Sequence, residues 1–183
     1  MSVPATSNST ILGAAAEHYV MCQLLRRGKI AALAPAGVPD ADIIVSDRVG
    51  SALAAVQVKA RRDIGADGGW HMKQKHESMI RDLLFYCFVD FGKTLNDPPK
   101  CWLLPSAVVA QVLTASHQAW LAAPGKDGRA HKDHDMRRLL PSYPYLTDPA
   151  FATGWLDPFR DRWDMVAPVL DSGSTLSAGA PPA

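Results

Sequence analysis

Asp42, Gln57 and Lys59 carry side chains suited to one reaction, and they fall in two short apolar segments close together in the chain. The first is AspAlaAspIleIleVal at 40–45 and the second LeuAlaAlaValGlnValLysAlaArg at 53–61, joined by the turn-rich run SerAspArgValGlySer at 46–51. A carboxylate, an amide oxygen and an ammonium group have a common use in phosphodiester hydrolysis. Mg²⁺ takes hard oxygen ligands such as a carboxylate, a side-chain or main-chain carbonyl and a substrate phosphate. The metal polarises the phosphate and activates water, while a lysine orients that water or offsets developing negative charge. The same three residue types are also common on the exposed face of a hairpin that binds nothing, and their spacing alone leaves both readings open.

Side chains along a strand alternate between faces, so Gln57 and Lys59 share a face with Leu53 and Ala55. Ala54, Val56 and Val58 form the opposite, wholly apolar face that a core requires. The run between the segments is of the kind that closes a hairpin. Pairing Asp42 with Lys59 centres the fold-back between Gly50 and Ser51, and pairing it with Gln57 centres it one position earlier. Either register sets the carboxylate beside the amide and the amine.

A second acid belongs to the element before this hairpin. Residues 9–27 read as a helix, with Ser or Thr as N-cap, apolar residues at helical spacing and Gly28 as a stop. Glu17 lies on the same stripe as Gly13, Val20, Met21 and Leu24. A carboxylate on an apolar helix face is costly to bury unless it is paired or binds a cation. A metal or Lys59 opposite it would give it a partner; a small error in helix facing would instead place it at the rim.

The order of GlyAlaAlaAlaGluHisTyrVal, LeuLeuArgArgGly, AspIleIleVal and ValGlnValLysAla, from Gly13 to Ala60, resembles the core of the PD-(D/E)XK or restriction-endonuclease-like nuclease superfamily, in a variant with Gln before the lysine. The resemblance implies an α/β fold with a central mixed β-sheet flanked by helices, cleavage of DNA and dependence on Mg²⁺, for which Mn²⁺ would substitute. By motif position Asp42 would bind the metal with Gln57, Glu17 and the main-chain carbonyl of Val58, and Lys59 would position the water. Gln57 stands where most members have Glu or Asp, so it offers an oxygen but no charge, which also admits a nuclease-fold protein that binds DNA or a partner without cutting it. Pro39 and Asp40 literally spell the family's ProAsp. Asp40 and Asp42 share strand parity, and Asp42 is favoured because it directly precedes IleIleVal.

With 183 residues, 48% hydrophobic and 20% charged, the chain has the composition of one globular domain with a substantial core. Expected boundaries are a disordered segment over 1–8, a single domain over 9–170 and a disordered tail over 171–183. No apolar run approaches the length of a membrane span, and the first residues lack the regions of a signal peptide, so a cytoplasmic protein is expected. Cys22, Cys87 and Cys101 read as reduced core residues. A net charge of +1 argues against indiscriminate coating of nucleic acid. DNA contacts must then be local, and Arg61, Arg62, Lys73 and Lys75 are the candidates nearest Lys59. Near-neutral charge also suits a small-molecule hydrolase or a structural domain. Cutting both strands of a duplex with one site per chain calls for two sites, so a C₂ homodimer is expected.

Downstream, TrpHisMetLys at 70–73 suggests a strand, HisGluSerMetIleArgAsp a short helix, and LeuPheTyrCysPheValAspPhe a buried strand. CysTrpLeuLeu predicts one more strand, followed by a helix capped by Ser106 and running to about Leu121. The polar run 125–138 reads as a surface loop. His131, His134 and Asp135 have a spacing that a metal can use, but a loop is preferred, and Arg129, Lys132, Arg137 and Arg138 are placed there to reach across a DNA groove.

Overall fold

The first helix, α1 (Ser9–Arg26), starts where Asn8 accepts hydrogen bonds from the N–H groups of Thr10 and Ile11 at 2.9 and 3.2 Å. It ends before Gly28, whose φ of +76° is left-handed. The cap is therefore Asn8, one residue ahead of the Ser and Thr expected to supply it. This computed structural model describes residues 8–47, 49–50, 53–64, 68–125 and 128–166. The remaining parts of the expected terminal segments, and residues 167–170 of the expected domain, lie outside the described residues.

After α1 come β1 (Ile30–Leu33), β2 (Ile43–Ser46), β3 (Leu53–Arg61), β4 (Trp70–Lys73), a 3₁₀ turn (Gln74–Glu77), β5 (Leu84–Asp90), β6 (Lys100–Pro105), α2 (Ser106–Ala122) and β7 (Met136–Leu139). Five strands form one sheet in the order β1-β2-β3-β5-β6, in which β3 and β5 are parallel and the other neighbours antiparallel. β4 and β7 pair antiparallel in a small second sheet. The fold is thus α/β, with the mixed central sheet that the resemblance implied.

Each face of that sheet has its own core, and strand alternation sorts the residues between them. Ala54, Val56 and Val58 of β3 join Phe85, Cys87 and Val89 of β5 on one face, where α1 lays down Ala16, Val20 and Leu24. On the other face Leu84, Tyr86 and Phe88 pack with Val109, Val112 and Leu113 of α2 and with Trp70 and Leu139 of the small sheet. β5 is buried along its whole length because both faces are covered.

Several expectations are corrected. Ser106 is the first residue of α2 and not its cap; its hydroxyl exchanges hydrogen bonds with the backbone of Arg81 at 2.8 and 2.9 Å. Only residues 74–77 form a turn of helix where a longer one was expected over 76–82. β7 lies in the run expected to be a loop, and β1 was not anticipated. Cys87 and Cys101 are buried and free, whereas Cys22 is exposed. No helix among the described residues is long and apolar enough to cross a membrane.

Candidate active site

The β2–β3 hairpin brings Asp42 and Gln57 together through the second of the two registers. Ile43 pairs with Val56, which puts Asp42 beside Gln57 one step beyond the ladder. The backbone there is pinned on both sides, by Asp42 N–H donating to Val56 at 3.0 Å and by Ala34 N–H donating to the Asp42 carbonyl at 2.9 Å. Oδ2 of Asp42 then accepts two hydrogen bonds, from Val58 N–H at 2.7 Å and from Gln57 Nε2 at 3.2 Å. The carboxylate takes over from the ladder where β2 stops, satisfying a β3 donor that has no strand partner on that side. Because a residue's N–H and C=O leave a strand on the same side, the Val58 carbonyl is directed past the end of β2 as well.

Donating its NH₂ to Asp42 fixes which way the Gln57 amide faces, since the reverse orientation would set two oxygens against each other. Its Oε1 is consequently buried with no hydrogen-bond partner. A buried acceptor left unpaired costs about 1–3 kcal/mol, so this oxygen has a standing deficit that a cation or a donor would relieve.

Glu17 and Lys59 complete the cluster electrostatically. Partial burial pushes the Glu17 carboxyl up, and the nearby Asp42 charge pushes it further, while His18 and Lys59 pull the other way. Burial pulls the Lys59 ammonium below its ordinary range; Asp42 and Glu17 oppose the shift and Lys75 reinforces it. Two acids and one lysine therefore feel one another's charge. Among the described residues no three His, Cys, Asp or Glu side chains are grouped as a metal site. The candidate donor set depends on an amide oxygen and a main-chain carbonyl in addition to the acids.

Asp40, the alternative acid, has a different place. It sits in a turn with φ of 65°, outside any strand, and forms ion pairs with Lys75 at 2.9 Å and Arg81 at 3.3 Å. The shared strand parity expected of it does not hold. The hydrogen bond from Lys75 holds its carboxyl below the usual range.

Gln57 and Lys59 open onto a cavity of about 950 Å³ between β3 and the small sheet, walled also by His71, Lys73, Lys75, His76 and Asp135. Asp42 meets this cavity through Gln57 rather than lining it. Lys73 and Lys75 reach it with side chains 68% and 56% exposed, Lys73 lying 3.7 Å from Asp135. Arg61 and Arg62 do not. Arg61 pairs with Asp90 at 2.7 Å, lies 4.2 Å from the Trp70 ring centre and donates to the Gly68 carbonyl. Arg62 donates to the Lys93 carbonyl. Arg137, expected in a DNA-gripping loop, is instead buried and holds Glu77 through two hydrogen bonds.

His76 is a cavity residue that the sequence did not single out. Its Nδ1 lies 2.7 Å from the Tyr86 hydroxyl, and burial followed by the Lys59 and Lys75 charges lowers its pKa to about 4. The imidazole is neutral at physiological pH and its ring is held in place. Nothing local predicts this contact, because it depends on how the 3₁₀ turn is laid over β5.

No protein-family model matches the sequence, and no curated protein matches it either. Among solved structures, the chain is similar to a bacterial homing endonuclease, with a TM-score of 0.49 and 14% identity over 87% of this chain and 91% of that one. It is also similar to Hjc, a Holliday junction resolvase from the archaeal hyperthermophile Archaeoglobus fulgidus, with a TM-score of 0.40 and 14% identity over 75% of this chain and 92% of that one.

Proposed function

We propose that the chain is a Mg²⁺-dependent DNA endonuclease whose centre is the Asp42–Gln57–Lys59 cluster. The observation that carries this reading is the Gln57 amide, tied to Asp42 through its nitrogen and left with a buried, partnerless oxygen. That oxygen, a second carboxylate oxygen of Asp42, the Val58 carbonyl and Glu17 make an all-oxygen donor set of the hard kind that Mg²⁺ or Mn²⁺ prefers. When bound, the cation supplies charge that polarises a phosphodiester and acidifies adjacent water.

The chain's own residues account for the rest. Val58 N–H and Gln57 Nε2 hold the Asp42 carboxylate in one orientation, so no reorganisation is needed when substrate arrives. Glu17, raised by partial burial and then by the neighbouring Asp42 charge, would gain from a cation held nearby. Lys59, an ammonium beside Asp42 and Glu17, would donate hydrogen bonds that orient the attacking water and offset the negative charge that develops on the phosphate. Lys73 and Lys75 at the cavity wall meet the flanking phosphates.

Supercoiled plasmid incubated with the protein and Mg²⁺ or Mn²⁺ tests the proposal. Nicking that EDTA, Lys59→Ala and Asp42→Ala each abolish is the expected result. Plasmid binding without nicking under either metal would instead assign a DNA-binding protein without cleavage, a reading that the uncharged Gln57 supports. Neither binding nor nicking would remove DNA from the account.

A further inference from the structure

We propose that a second pocket, next to the cleavage cavity, accepts a single nucleobase of the DNA, so that the preferred substrate carries an unpaired base beside the scissile phosphate. The proposal rests on the nuclease reading for the identity of the polymer, but the pocket's own chemistry selects a flat heteroaromatic ligand.

The pocket has a volume of about 300 Å³ and is walled by His117 and Trp120 of α2, by His134, Met136 and Arg138 at β7, and by Tyr145. This is at the small end for ligand sites and suits one base better than a base pair. Its walls are rings. The Trp120 ring lies 5.5 Å from His117 and 5.4 Å from His134, while His131, which does not line the pocket, stacks on Trp120 at 3.9 Å and backs it. The rings are also held. His117 Nε2 lies 2.7 Å from the Asp133 carboxylate, which fixes that nitrogen as a donor, and Met136 N–H donates to His134 Nδ1 at 3.2 Å. Rigid aromatic surface of this kind binds bases of any sequence through their faces, and a preset wall loses little entropy on binding.

Position supplies the second half of the inference. His134 and Met136 line both this pocket and the cavity that contains Gln57 and Lys59. A nucleotide whose phosphate sits in the cavity therefore has the pocket as its neighbour across a wall of two side chains. A base in an intact duplex must leave its stack to enter, whereas a bulged, mismatched or flap base pays little for doing so.

The test uses the full chain in EDTA, so that binding is read without cleavage, and two duplexes that differ by one extra unpaired 2-aminopurine. The bulged duplex is expected to bind about tenfold tighter than the paired one, the scale of one base–aromatic stack, with its fluorescence changing on binding. Trp120→Leu and, independently, Tyr145→Ala at an exposed position should bring that ratio towards one. Equal affinity with an unchanged signal, or a preference that survives in a folded Tyr145→Ala and Trp120→Leu pair, would overturn the proposal. So would a preference lost in Lys59→Ala alone, since that would locate the base in the cavity. A protein that prefers the bulge yet never nicks DNA refutes the nuclease reading and leaves the pocket standing; one that nicks without preference does the reverse.

Discussion

The two walls of the cavity are held by opposite means. On the β3 side, Asp42 is fastened to Gln57 and Val58, residues only 15 and 16 positions away, over a continuous apolar core. On the β4–β7 side, Trp70 pairs with Leu139 and Glu77 with Arg137, partners about sixty or more positions apart. One wall is local and greasy beneath; the other is closed across the chain by an ion pair between buried Arg137 and partly exposed Glu77. The contrast teaches that the chemistry and the shape of the site have separate supports and can be damaged separately.

The sharpest separation comes from Lys59→Ala, expected to cut Mg²⁺-dependent nicking by about 10³-fold while leaving the thermal midpoint nearly unchanged. Plasmid nicking alongside thermal melts reads both quantities; a large loss of stability would break the comparison. Next is Arg137→Ala, expected to destabilise the fold by about 3 kcal/mol because Glu77 loses its buried partner. Urea denaturation measures it, and an effect below about 1 kcal/mol would mean the second wall does not depend on the ion pair. His76 gives a smaller, pH-dependent effect. Its folded pKa of about 4 lies below the 6.5 of an ordinary imidazole, so the unfolded chain takes up a proton that the folded chain refuses as pH falls between those values. Stability should decline through that window by on the order of 2 kcal/mol, and His76→Asn should lose that part of the slope in urea titrations. The smallest change belongs to Lys73→Ala and Lys75→Ala, each expected to reduce the log-log salt slope of DNA binding by about one. Arg61→Ala, by contrast, should act through stability, because its guanidinium is already committed to Asp90 and Trp70.

Legibility in the sequence divides along the same line. The hairpin could be read because apolar and polar residues alternate from Val56 to Lys59 and few residues separate the two segments, so counting places Gln57, Lys59 and Asp42 on common ground. Glu17 could be read from its stripe on α1. β7 could not, because its burial pattern puts Arg137 inside and Met136 outside, the reverse of what hydropathy suggests. Arg61 and Lys75 look alike as basic residues near the site. Only the fold shows that the first is largely buried against Asp90 and Trp70, while the second, paired with Asp40, stays exposed at the cavity wall. The left-handed backbone at Asp40 was likewise hidden, since nothing in ProAsp itself forces the turn.

Asp42 is a clasp as well as a proposed metal ligand, since its carboxylate closes the open end of the hairpin whether or not chemistry follows. If the proposed cleavage were lost, this aspartate would still be needed for folding, whereas the Lys59 amine would contribute only its charge opposite Asp42 and Glu17. Persistence of the lysine among relatives, not of the acid, is therefore the signature by which working members of such a lineage can be told from retired ones.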